Sequence, residues 1–300
     1  MDAAHAAADL AARLRAGEVL ATAAPLGWIA LARPAERARL LGLPGADPAR
    51  LAVTAGSPAT LRDFLPPHGL RAELLIARLM PGPVALRFAD GALARHDAWS
   101  PADGPWLSLA LSAPPDLPIV GATATGRAIE TVVRIDGARL TIEHAGTVGT
   151  GRIVDAARVR LLFVCSGNTC RSPMLAALTR HALAARGITG VSVESAGLYA
   201  ASGDAASAHA VAAMAERGIA LEAHRSQPID AIELDGVDRI WCLGRGHLTA
   251  LTASGVDPSR LRLVNADAGG VPDPYGGDRA AYDACAAVLE RAVDDVIADL

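Results

Sequence analysis

The chain has 300 residues, of which 51% are hydrophobic and 20% charged, and its net charge is −4. That length allows two domains that each bury a core, and such mild acidity offers little to a nucleic acid or a membrane surface. Lysine is absent, so all 28 basic residues are arginine, which excludes a Schiff-base lysine, a P-loop lysine and a lysine general base.

In chain order, the first uncharged apolar run is Val19 to Ala32. It contains Pro25 and Gly27 and is too short to span a bilayer, and it does not read as a signal peptide. Pro66-Pro67, Pro81-Gly82-Pro83 and Pro114-Pro115 mark loops within the first half. Four cysteines at irregular spacing make no disulfide framework and read as the free thiols of a cytoplasmic protein. Glycines and small residues from Gly146 to Arg160 separate two apolar segments and mark a boundary. Residues 1–157 hold 15 arginines and 15 acids, whereas residues 158–300 hold 13 and 17.

Past the boundary the pattern becomes regular. VRLLFV, 159–164, is a continuous apolar run that suits a buried parallel strand. A helix is predicted from Pro173 with Ser172 as its N-cap. A strand over 191–195, a helix over 204–218 closed by Gly218, a strand over 238–243 and a helix over 246–255 follow. The series ends with a strand over 260–264 and a helix over 279–300. This alternation predicts an α/β fold, a four-stranded parallel sheet with helices on both faces. Ligands bind such sheets at the carboxyl ends of strands.

The segment VCSGNTCRSPM, Val164 to Met174, lies at such an end. A loop leading into a helix N-terminus aims several N–H groups at one point, where the helix dipole adds positive charge, so it binds a phosphate-sized anion. The same field favours the thiolate of Cys165. Arg171 supplies a planar fork for two phosphoryl oxygens. Gly167 allows a tight turn, and Asn168 tolerates a left-handed conformation. Ser172 can donate a hydrogen bond to the Cys165 thiolate. Ser166, Thr169 and Cys170 complete the loop. A leaving group needs a proton, and Asp273, set between two prolines and followed by glycines, is the candidate general acid. Tyr275 is placed to wall the pocket.

Cys165-Ser-Gly-Asn-Thr-Cys-Arg-Ser-Pro173 together with Asp273-Pro-Tyr275 resembles the low-molecular-weight protein tyrosine phosphatase family, and the likeness covers 158–300. The resemblance implies hydrolysis of phosphotyrosine in proteins through a phosphocysteine intermediate. Cys165 is then the nucleophile, Arg171 binds the phosphoryl group and Asp273 is the acid, with no cofactor or metal. It also implies a reversible disulfide between Cys170 and Cys165, and support of the loop serine by His224. Gln227 and Gly244 depart from the family pattern, and both are expected to loosen the loop's support. Thr169 stands where members acting on phosphoarginine carry threonine, so arginine phosphatase is the alternative. Arsenate reductase would need a further cysteine pair, which Cys242 and Cys285 do not suit. A module that only binds phosphorylated side chains would have no use for nucleophile, arginine and acid together.

In the first half, LMPGPVALRF (79–88) and ETVVRIDGARLTIEHAG (130–146) resemble segments of the YrdC/Sua5-like threonylcarbamoyl-adenylate synthase family. That family's Thr-rich turn and Lys-x-Arg patch are missing here. Residues 1–155 are therefore expected to form a degenerate α+β domain of this kind, serving as a binding module or joining two copies of the chain.

Overall fold

Runs of four to six residues rich in Leu, Val, Ile and Ala form the strands of the first half. They are β1 (Leu20–Ala24), β2 (Gly27–Ala32), β3 (Leu51–Ala55), β4 (Val84–Arg87), β5 (Leu93–His96), β6 (Trp106–Leu111), β7 (Thr131–Asp136) and β8 (Arg139–His144). The structure, a computed structural model, describes residues 3–24, 27–96, 105–111, 115–118 and 130–300; of the predicted loop residues, Pro114 lies outside these. The strands make one mixed sheet in the order β1-β2-β6-β3-β5-β4-β7-β8, parallel at β3–β5 and β4–β7. Helices α1 (Ala3–Arg15), α2 (Arg37–Leu41), α3 (Pro58–Arg62), α4 (Leu70–Leu79) and α5 (Thr150–Ala156) complete it.

Alternate strand residues point to one face. Val84 and Leu86 of β4 and Val133 and Ile135 of β7 therefore share a core with Leu75 and Ile76 of α4 and Ile153 of α5. Leu10 and Leu14 of α1 pack with Leu20, Ile29, Leu31 and Trp106. Arg95 on β5 is almost wholly buried. Its guanidinium is paired with Glu130 and donates to Ser108 Oγ at 3.3 Å, as a buried charge requires.

The chain divides into two compact units, Met1–Ala157 and Arg158–Leu300. The second contains β9 (Val159–Cys165), α6 (Arg171–Ala185), β10 (Val191–Gly197), α7 (Ala208–Ala215), β11 (Arg239–Cys242), α8 (Arg245–Ala253), β12 (Leu261–Leu263) and α9 (Arg279–Ala298). Its sheet runs β10-β9-β11-β12 and is parallel throughout, the predicted α/β arrangement. Leu162, Val164, Ile240 and Cys242 cluster with Leu251 of α8. Strand alternation gives Leu161 and Phe163 to the opposite face, where α6 packs on β9 and on α9.

Two predicted helix starts are corrected. Helix α6 begins at Arg171, not Pro173, and its N-cap residue Cys170 makes no side-chain cap. The Ser172 hydroxyl is already committed to the loop, as shown below, so it cannot cap. Helix α7 begins at Ala208 because Ser207 caps it, accepting from the Ala210 N–H. Residues 204–207 are held instead by contacts to the Cys165 loop and to Ser226. Gly218, at φ 70°, follows the helix as expected. No described helix is long and apolar enough to cross a membrane.

Candidate active site

Cys165 is the last residue of β9, and Arg171 is the first of α6. The five residues between them turn the chain so that a backbone N–H faces the thiol. The Asn168 N–H donates to Cys165 Sγ at 3.3 Å. Asn168 adopts φ 53°, the left-handed conformation that asparagine tolerates better than most residues.

Asn168 is fully buried and sits at the hub of the loop. Its Oδ1 accepts from the Gln227 N–H at 2.9 Å, which fixes the orientation of the amide. Its Nδ2 then donates to Ser172 Oγ and to Ser195 Oγ, each at 2.9 Å. Because Ser172 accepts from Asn168, its own proton has two acceptors within reach, Cys165 Sγ at 2.9 Å and, farther off, the Ala196 carbonyl at 3.4 Å. Such a donor stabilises a thiolate. Ser172 therefore has the predicted contact with the thiol, but not the predicted cap.

His224 Nε2 donates to the Asn168 carbonyl at 2.7 Å. It therefore meets the loop serine Ser172 through Asn168 and not directly, while a second histidine, His247, places Nε2 3.0 Å from Ser166 Oγ. Burial lowers the pKa of both rings; Arg180 and Arg225 add to this at His224, and Arg171 at His247. His247 escaped the sequence reading, although it stands just beyond β11, at a strand's carboxyl end, where such parallel sheets place their ligands.

The two departures from the family pattern also prove structural. Gln227 ties Asn168 through its N–H and donates from Nε2 to Ser195 O at 3.0 Å. Gly244 bridges Gly270, where a Cβ would lie 2.8 Å from Gly244 Cα. This close pairing presents the Val271 carbonyl to Arg171 Nη1 at 3.3 Å.

Arg171 is buried. Its Nη2 reaches Ser166 Oγ at 3.4 Å and also pairs with the Asp273 carboxylate. Its Nε is a buried donor that finds no acceptor among the described residues. Asp273 Oδ1 accepts from the Tyr275 N–H at 3.2 Å, so the acid is held by its own turn. A cavity of about 420 Å³ is lined by Cys165, Ser166, Gly167, Thr169, Cys170, Arg171, Asp273 and Tyr275, and by Tyr199, Ala200, Ala201 and Asp204. The sequence reading missed the last four, which follow the SAG turn of β10. Tyr199 and Tyr275 are both highly exposed.

Cys170 is buried, with Sγ 3.3 Å from Tyr282 Oη and 3.5 Å from Ser207 Oγ. Burial and this contact push the Tyr282 hydroxyl up to about 12. The remaining thiols, Cys242 and Cys285, are buried and pushed up to about 12 by loss of solvent. Neither offers a thiolate at neutral pH, which argues against a reductase relay.

Comparison with known proteins agrees with this geometry. Residues 160–300 match the family described as low molecular weight phosphotyrosine protein phosphatase. A protein-arginine-phosphatase of Geobacillus stearothermophilus is 37% identical over 140 residues, 45% of this chain and 91% of that protein. This chain belongs to the low molecular weight phosphotyrosine phosphatase family. It is a hydrolase of the protein phosphatase class. A probable low molecular weight protein-tyrosine-phosphatase, EpsP, of Ralstonia solanacearum is 37% identical over 138 residues, 45% of this chain and 90% of that protein. A protein-arginine-phosphatase of Bacillus subtilis (strain 168) is 36% identical over 123 residues, 39% of this chain and 80% of that protein. These matches concern the C-terminal unit.

Proposed function

We propose that Cys165 is the nucleophile of this phosphatase, that Arg171 and the loop N–H groups bind the phosphoryl oxygens, and that Asp273 is the general acid. The observation carrying this reading is the convergence of the Cys165 thiol, the Arg171 guanidinium and the Asp273 carboxylate on one cavity. A phosphoryl group seated in the loop finds the unpartnered Arg171 Nε as a donor and competes for the Nη2 that holds Asp273. The Cys165 thiolate forms the P–S bond as the bond from phosphorus to the side chain breaks. Asp273 gives its proton to the departing atom. Water then attacks phosphorus and the P–S bond breaks. Cys165 leaves as thiolate, and Asp273 takes the proton from that water.

For substrate, we favour phosphoarginine. Thr169 lines the cavity, and its hydroxyl suits a polar guanidinium better than a phenyl ring. Phosphotyrosine is the second reading, favoured by the exposed Tyr199 and Tyr275 at the same cavity, between which an aromatic ring could stack. Initial rates on matched phosphoarginine and phosphotyrosine peptides separate them. Cys165→Ser should abolish turnover while phosphate still binds; persistent turnover would overturn the nucleophile assignment.

We further infer that residues 1–155 form a degenerate YrdC/Sua5-like domain that has lost synthase activity and is the candidate for self-association. The two resembling segments support this, together with the missing Thr-rich turn and lysines. Tight calorimetric binding of ATP or threonine would overturn it, and sedimentation of the chain with and without residues 1–155 tests self-association. The four described cysteines are all free, which supports a reducing, cytoplasmic setting.

A further inference from the structure

The Cys165 cavity holds a second carboxylate, that of Asp204. Asp204 is exposed, and its backbone is fixed on both sides. Its N–H donates to Ser226 Oγ at 3.0 Å, and its carbonyl accepts from the Ser226 N–H at 2.8 Å. Three residues on, the Ser207 N–H donates to the Thr169 carbonyl at 2.9 Å. Next to Ser226, the Gln227 N–H donates to Asn168 Oδ1. The segment bearing Asp204 is thus tied to two consecutive residues of the phosphate loop. The backbone that carries the carboxylate therefore has a set place relative to Thr169, and the side chain itself forms no ion pair among the described residues.

The charges in the cavity make this placement meaningful. Arg171 and Asp273 pair with each other, which leaves Asp204 as an uncompensated negative charge on the wall. A phosphotyrosine brings a dianion and an apolar ring, neither of which gains from a nearby carboxylate. A phosphoarginine brings a phosphoryl group for the loop and, next to it, a planar cation with several N–H donors but no acceptor. Those donors need acceptors once the side chain has left water, and a carboxylate is the strongest available to them. The Thr169 hydroxyl, with two lone pairs, cannot satisfy them all.

We propose that Asp204 accepts hydrogen bonds from the guanidinium of a phosphoarginine substrate and so selects phosphoarginine over phosphotyrosine. The proposal rests on the phosphoarginine reading given above. It is independent of the assignment of nucleophile and acid, because Asp204 touches neither.

The test compares kcat/KM of the full-length wild type, Asp204→Asn and Asp204→Glu on a phosphoarginine peptide, with p-nitrophenyl phosphate as the aryl control. Asp204→Asn should lose about tenfold on phosphoarginine, chiefly through KM, since one charge-assisted hydrogen bond is weakened at a solvent-exposed wall. The aryl phosphate rate should stay level or rise, and that rate also verifies the fold and the nucleophile. Asp204→Glu, which keeps the charge, should recover part of the loss. Equal changes on both substrates, or no change on either, would overturn the proposal while leaving the phosphoarginine reading intact. A wild-type enzyme that fails on phosphoarginine but cleaves the aryl phosphate would overturn that reading itself, and the role of Asp204 with it.

Discussion

Asn168 ties the Cys165 loop together through backbone and side chain alike. Three of its side-chain hydrogen bonds are buried or partly buried, to Ser172, Ser195 and Gln227. At about 1 kcal/mol each, Asn168→Ala should cost about 3 kcal/mol of stability, read as a lower denaturant midpoint of the C-terminal unit. It should also cost activity, because Ser172 would lose the partner that aims its proton at Cys165. The two histidines around the loop add a pH dependence. Burial lowers the pKa of both His224 and His247 below the ordinary 6.5. As pH falls below about 6.5, the unfolded chain takes up protons that the folded chain refuses, so stability must fall in that window and is fully present above it. Thermal midpoints of the C-terminal unit measured at pH 7.5 and 5.5 should show this loss, and His224→Gln/His247→Gln should flatten it; His68 of the first unit, raised by its hydrogen bond to Glu73, acts in the opposite sense.

Between elements, the turn that leaves β10 decides how closely the loop can be supported. A Cβ at Gly197 would lie 2.5 Å from the Ser166 carbonyl oxygen and 2.9 Å from the Asn168 nitrogen. Backbone cannot yield there as a flexible side chain would. The same turn donates the Leu198 and Tyr199 N–H groups to the Cys165 and Ser166 carbonyls, each at 2.9 Å. Gly197→Ala should therefore displace the phosphate loop, and displacement on the ångström scale costs about 100-fold in turnover. Steady-state rates on an aryl phosphate, with circular dichroism to confirm the fold, check this. The strand and helix pattern of this unit was legible because its strands are short runs dominated by apolar residues, the central β9 above all, and its helices are flanked by punctuation. Gly218 and the Asp278 cap, which accepts from the Ala281 N–H at 3.0 Å, are examples. The start of α7 was misplaced because Ala-rich sequence from 204 onward has helical composition, whereas backbone bonds from Asp204 and Ser207 to Ser226 and Thr169 claim it first.

At the scale of the whole molecule, the boundary between Ala157 and Arg158 separates a mixed sheet from a parallel one. Every residue proposed for chemistry lies after it. We propose that residues 158–300 are a domain in its own right. Expressed alone, they should unfold cooperatively and keep kcat/KM within about threefold of the full chain, as an independent domain does. A fragment that is soluble and folded yet inactive would show that the first unit contributes to the reaction.

The sequence by itself pointed to the proposed chemistry: a thiol, a turn before a helix, an arginine six residues on and a carboxyl group between prolines are local patterns, readable because each depends on residue type and spacing. Tertiary structure alone decided what surrounds them. His247 reaches the loop from α8, and Tyr199 and Asp204 line the same cavity from the stretch that follows β10; residue type and spacing in those segments do not single them out. A parallel sheet gathers the ends of distant strands to one edge, and only that gathering shows which carboxylates, rings and amides share the cavity with Cys165.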